Sequence, residues 1–255
     1  MKISLALSGG AARGAFHLGV IEALVENGFE IGVISGSSIG AIVGVSYASG
    51  VSPKEQLEIF CSSELKKVIK FNYLRRSLLK IDIKNQFVEK IIPIKNIEDT
   101  KIKVYVTTID LISGKVIRFE KGDAKTLCMA SSALIPLFKP ISYENWQLAD
   151  GGIMDNLPTK PLKEHNLPII GVDLHPKEIG FKNSFSGLIA RTLYLSWRAN
   201  TINHINDCNI YITNDKLTKY GLFKTTHLRD LYELGLQSAK KITPKDLNVT
   251  KSICT

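Results

Sequence analysis

Apolar and polar positions along the first fifty residues switch between a strand-like and a helix-like rhythm. Lys2 to Leu7 is a short, mostly apolar run ending in Ser8-Gly9-Gly10-Ala11-Ala12-Arg13-Gly14, the form of a buried strand that feeds a glycine-rich turn. Beyond the turn, Phe16, Val20, Ile21, Leu24 and Val25 recur at helical spacing, and Gly28 stands where a left-handed C-terminal cap belongs. A second apolar run at 31–34 leads into Gly36-Ser37-Ser38-Ile39-Gly40, and a helix of small and branched residues follows, ending near Gly50. This β-α-β-α order, with glycine in both βα turns, predicts an α/β fold with a mainly parallel sheet.

Later segments extend the pattern. Ser52-Pro53-Lys54-Glu55 combines an N-cap serine, a proline at the first helical position and a glutamate placed for a capping box. Residues 102–109 are dense in β-branched side chains and predict a central strand; a turn at Ser113-Gly114 then leads into an antiparallel strand over 115–119. A short helix is expected around Ala130-Ser131-Ser132-Ala133. Trp146 to Leu148 leads into Asp150-Gly151-Gly152, and 169–173 is another buried strand. Helices are expected over 184–206 and 226–241, with a short strand at Tyr211-Ile212 between them. No repeat or low-complexity linker interrupts the chain, so one domain is expected over 1–255, with a helical C-terminal part from 176 onward.

Composition adds a partner class. The chain has 255 residues, 44% of them apolar, and 33 Lys plus Arg against 24 Asp plus Glu give a net charge of +9, which suits an anionic partner such as a phospholipid surface or nucleic acid and equally a basic exterior that serves solubility. The stretch 64–90 concentrates this charge, with eight basic residues against three acidic ones and Phe71, Tyr73, Leu74, Leu78 and Leu79 interspersed. It reads either as a basic cap over a site or as a helical hairpin with a basic outer face, the latter being favoured. Cys61, Cys128, Cys208 and Cys254 are widely spaced and include no Cys-x-x-Cys pair, the pattern of reduced thiols rather than a disulfide framework or zinc site. The N-terminus lacks a signal-peptide pattern and no run has the length of a membrane span, which predicts a cytoplasmic protein whose membrane contact is peripheral.

The chemistry-bearing residues lie at the glycine turns. Gly36-x-Ser38-x-Gly40 fits the nucleophile elbow, in which a serine projects from a strained strand-to-helix turn and flanking glycines relieve collisions. Gly9, Gly10, Ala11, Arg13 and Gly14 form a turn at a helix N-terminus, suited to holding an oxyanion. The same turn loosely matches a dinucleotide fingerprint, but its middle glycine is alanine and no acidic residue ends the second strand. The base is open at this point. His17, His165, His175, His204 and His227 are present, and His204 or His227 would serve a Ser-His-Asp esterase; Asp150, in Asp-Gly-Gly after a strand, is the other candidate.

Four blocks, Leu5 to Gly14, Gly36 to Gly40, Ala130-Ser-Ser-Ala-Leu-Ile-Pro136 and Asp150-Gly-Gly-Ile-Met-Asp-Asn-Leu-Pro158, resemble the patatin-like phospholipase family in order and spacing across most of residues 1–175. Asp110-Leu111 followed by Gly114 also resembles it, and the last eighty residues do so only weakly. The resemblance implies a three-layer α/β/α domain and a serine-dependent lipid acyl hydrolase of phospholipase A or lysophospholipase type, acting through an acyl-enzyme. It makes Ser38 the nucleophile, Asp150 the base, Gly9, Gly10, Ala11 and Arg13, with Gly14, the oxyanion loop, and Gly151 and Gly152 the remainder of the Asp-Gly-Gly motif. No cofactor or metal is implied, the substrate is a phospholipid or other acyl ester, and nucleic acid is not an expected partner. The competing class is a non-catalytic basic lipid-binding regulator that retains the elbow. Headgroup, chain length and oligomeric state are not legible in the sequence.

Overall fold

The computed structural model describes residues 1–65, 69–71, 79–181, 183–248 and 252–254. Eleven strands occur among them: β1 Lys2–Leu7, β2 Glu30–Ser37, β3 Ile69–Phe71, β4 Leu79–Ile81, β5 Lys103–Asp110, β6 Lys115–Phe119, β7 Ile141–Tyr143, β8 Trp146–Asp150, β9 Ile169–Val172, β10 Ile210–Ile212 and β11 Ser252–Cys254. The α-helices are α1 Ala15–Glu26, α2 Ile39–Ala48, α3 Pro53–Cys61, α4 Gln86–Ile91, α5 Ala124–Ser131, α6 Phe185–Ile205 and α7 Leu228–Ala239. Nine strands form one sheet in the order β11-β10-β9-β1-β2-β5-β8-β7, with β6 also paired to β5. The pairs from β11 through β5 are all parallel; β6, β7 and β8 join antiparallel. The fold is therefore α/β, with a mostly parallel central sheet flanked by helices.

Alternation along the strands divides the core. Leu5, Leu7, Ile34, Val104, Val106, Ile170 and Val172 belong to the larger apolar cluster, which includes Phe16, Ile21 and Leu24 of α1 and Leu228 and Leu231 of α7. Ala6, Val33, Tyr105, Ile169 and Tyr211 form a second cluster with Leu157, Leu162 and Cys208. Helix α1 is buried over most of its turns, while Val25, expected on its apolar face, is exposed. Gly28 lies beyond its end with φ +87°, as the cap position requires. The capping box at Ser52 and Glu55 is formed in both directions.

Three expectations change. Strand β2 runs to Ser37 rather than stopping at residue 34, so it delivers its last residue directly to the elbow. The helix expected around 130–133 begins earlier, at Ala124, capped by the Asp123 carboxylate, and ends at Ser131. The basic stretch holds no helical hairpin in its described part: β3 and β4 pair antiparallel, Ile69↔Ile81 and Phe71↔Leu79, before α4 begins. Apolar and lysine residues alternate in both short segments, as the two-residue period of a strand allows. Residues 66–68 and 72–78 of the expected cap lie outside the described residues. Cys61 and Cys128 are free thiols. Among the described residues no helix is long and apolar enough to cross a membrane.

Candidate active site

The site lies at the carboxyl ends of the central strands. Ser38 follows β2 with φ 54° and ψ −125°, a left-handed backbone that costs a non-glycine residue free energy and persists only where its surroundings enforce it. Those surroundings are tight: a Cβ on Gly36 would stand 2.4 Å from the backbone of Gly40, and one on Gly40 would stand 2.3 Å from the carbonyl oxygen of Leu7. Only glycines allow β2, the turn and α2 to pass each other so closely against β1. The Ser38 amide donates to Ser131 Oγ at 2.8 Å, and that hydroxyl donates to the carbonyl of Thr107 at 2.6 Å. Ser131, the last residue of α5, thus ties the strained residue to β5.

Strand β5 also brings Asp150 to the serine. Strand β2 pairs with it in parallel up to Ser37↔Thr107, while β8 pairs antiparallel from Asp150↔Thr108 onward. Strand β6 takes Val106 to Asp110. Since a strand has two edges, β2 and β8 share the edge opposite β6 and meet end to end between Thr107 and Thr108. Ser38 and Asp150 stand at that junction, and Ser38 Oγ donates to Asp150 Oδ2 at 2.8 Å. The other carboxylate oxygen accepts from the Gly152 amide at 2.8 Å. Burial pushes the Asp150 carboxyl up to about 6, against the pull of these two hydrogen bonds.

The loop after β1 forms another wall. The Gly9 amide is taken by Asn156, whose side-chain oxygen lies 3.1 Å away. Among the described residues the amides of Gly10 and Ala11 have no protein acceptor, and both residues line the cavity that holds Ser38. Ala11 has φ 48°, a conformation that glycine would hold without strain. Gly14 closes the turn against Ile39. The Arg13 guanidinium is spent elsewhere, donating to the carbonyls of Tyr220 and Leu174 at 2.9 and 3.0 Å, so it braces the loop from behind. Asp110, part of the sequence resemblance, caps its own turn through Ser113 and the Gln147 amide.

None of the five histidines hydrogen-bonds to Ser38. His17 Nε2 lies 2.8 Å from the Ser8 carbonyl, and burial holds it down to about 4. His165 meets the Tyr105 hydroxyl, and His175 packs on Trp197 beside Asn156. His204 contacts Thr159 and Asp207, while His227 contacts Asp230 near the surface. Three residues absent from the sequence-derived set belong to the site: Ser131 and Asn156 through the bonds above, and Ile39, whose amide at the start of α2 has no acceptor among the described residues. Ile39 was recoverable, because the residue after an elbow nucleophile commonly supplies an oxyanion donor. The cavity, about 250 Å³, is walled by apolar side chains including Phe60, Phe87, Phe138, Trp197 and Leu222.

The chain is 32% identical over 182 residues to an uncharacterised NTE family protein of Mycobacterium tuberculosis, covering 70% of this chain and 51% of that protein. It is 31% identical over 179 residues to lysophospholipase NTE1 of Candida albicans, covering 68% of this chain and 13% of the fungal protein. The chain therefore spans about half the length of the mycobacterial relative and a small part of the fungal one. In fold it is similar to VipD from Legionella pneumophila, with a TM-score of 0.58 at 14% identity, over 96% of this chain and 66% of that one. Residues 5–163 match the patatin-like phospholipase profile, a span that contains the β1 loop, the elbow and Asp150. The chain belongs to the patatin-like phospholipase family.

Proposed function

We propose that the protein is a lipid acyl hydrolase in which Ser38 and Asp150 form a catalytic dyad. The observation that carries this reading is the 2.8 Å hydrogen bond from a strained elbow serine to a buried carboxylate, within an apolar cavity suited to an acyl chain. Family membership and the printed activity of the fungal relative favour phospholipid or lysophospholipid esters as the substrate class.

Ser38 Oγ attacks the ester carbonyl as Asp150 Oδ2 takes its proton. The amides of Gly10 and Ala11, with that of Ile39, hold the oxyanion; Gly9 instead anchors the loop through Asn156. Collapse of the tetrahedral adduct breaks the ester C–O bond, and the leaving alkoxide takes the proton from Asp150. Water then attacks the acyl-serine while Asp150 accepts a proton, and the second collapse frees the fatty acid as Ser38 Oγ recovers that proton. Asp150 begins and ends each half-reaction ionised. The histidines are bonded elsewhere, which favours the dyad over a Ser-His-Asp arrangement. The continuous sheet and shared core favour one domain.

The test compares wild type with Ser38→Ala and Asp150→Asn on p-nitrophenyl butyrate and lysophosphatidylcholine. Each variant is expected to lose about a thousandfold or more in kcat/KM, as when one member of an interdependent catalytic set is removed, and a fluorophosphonate is expected to label wild type at Ser38. Full turnover in either variant would sink the dyad; a folded wild type that neither labels nor turns over would leave the lipid-binding regulator.

A further inference from the structure

Helix α6 carries apolar side chains on more of its circumference than the fold covers. Its inner side holds Tyr194, Trp197 and Thr201, all buried, with Trp197 reaching the cavity. Its outer side presents Phe185, Leu188, Ile189, Leu195 and Ile202 to solvent, with Phe185 82% exposed. These positions fall on the half of the helix turned away from Tyr194 and Trp197 at 100° per residue. In the segment leading into α6, Ile179 and Phe181 are also exposed, at 89% and 57%. Phe223 lines the cavity and is still 61% exposed, so it stands at the rim.

Charge follows the same geography. From Ile179 to Asn206 the sequence has no Asp or Glu; of the described cations there, Arg191 donates to the Glu178 carbonyl and Arg198 is paired with the buried Asp173. Exposed Lys177 and half-buried Glu178 precede the stretch, and exposed Lys224 adjoins Phe223. An apolar surface with no carboxylate between Ile179 and Asn206, joined to an apolar cavity through Trp197, marks an interaction site. We infer that the outer face of α6, with Ile179, Phe181 and the Phe223 rim, docks on an anionic lipid surface and passes lipid from it into the cavity. The substrate step rests on the lipid-ester reading of the site; the docking step does not. A second copy of this chain would set +9 against +9, whereas an anionic bilayer meets that charge with the opposite sign.

Sedimentation with vesicles of phosphatidylcholine and phosphatidylglycerol tests the face. A Phe185→Ser, Leu188→Gln, Ile189→Gln variant is expected to bind about a hundredfold more weakly, as several half-immersed apolar side chains are lost, while its p-nitrophenyl butyrate turnover stays at the wild-type level. An Ile179→Asp, Phe181→Asp variant, altered outside the helix, is expected to weaken binding in the same sense. Ser38→Ala is expected to bind as wild type does, so a failed hydrolase reading and a failed docking reading give different results. Wild-type protein that ignores the vesicles, or variants that bind undiminished, would overturn the proposal. So would light scattering that shows a wild-type dimer reduced to monomers by the same substitutions, since the face would then join two copies.

Discussion

An aspartate in water titrates near 4, too weak a base to activate a serine well at neutral pH. Burial raises Asp150 to about 6, closer to the operating range that favours a general base. Turnover of a soluble ester is therefore expected to rise about tenfold per pH unit below that value and to level off above it, as kcat/KM measured across pH would show. The same shift acts on stability. Between the ordinary aspartate value and about 6, folded Asp150 keeps a proton that the unfolded chain has released, so stability falls as pH rises through that window and the penalty is complete above it. Asp150→Asn can still accept from the Gly152 amide and should be more stable than wild type at neutral pH by about 1–3 kcal/mol. Urea unfolding is expected to show that advantage above the window and its disappearance below it. Ser38 was legible in the sequence because an elbow writes its glycines two residues to either side. Ser131 and Asn156 lie inside blocks that carry the family resemblance, but their roles are not legible there, since they act across 93 and 147 residues of chain.

Elements were legible where their cause is local. The capping box at Ser52, the cap at Gly28 and the apolar runs of β1 and β9 reproduce in the structure because each depends on a few neighbouring residues. The β3–β4 ribbon is not legible in the sequence because three-residue strands offer too short a period to read against a lysine-rich background. Helix pairing was invisible for another reason. Helices α1 and α7 approach so closely that a Cβ on Gly19 would stand 2.0 Å from the Tyr232 carbonyl oxygen, and one on Gly235 would stand 2.1 Å from that of Phe16. Within one helix each glycine looks like a weak point; between helices it permits contact. Gly19→Ala should improve helix propensity by about 1 kcal/mol and still destabilise by about 1–3 kcal/mol net, because the backbones must separate. Calorimetry is expected to show Tm lower by about 3–10 °C; an unchanged Tm would mean that the helices yield freely.

At the scale of the whole molecule, charge and apolar surface make separable contributions. The net +9 acts over a distance that salt shortens, with a Debye length of about 10 Å at 0.1 M and about 3 Å at 1 M. Attachment to vesicles containing phosphatidylglycerol should weaken as salt rises over that range, while the smaller affinity for pure phosphatidylcholine should barely change. A binding curve insensitive to salt on both vesicles would assign the basic residues to solubility alone.

The shared edge of β5 also has a consequence for folding. Ser38 and Asp150 are 112 residues apart, and they meet only because two strands end at adjacent rungs of a third. A slip of one residue by either strand would turn its terminal side chain to the opposite face of the sheet. Ester hydrolysis is thus a register gauge for the sheet: a misregistered chain could retain its strands, helices and compactness and still be catalytically silent.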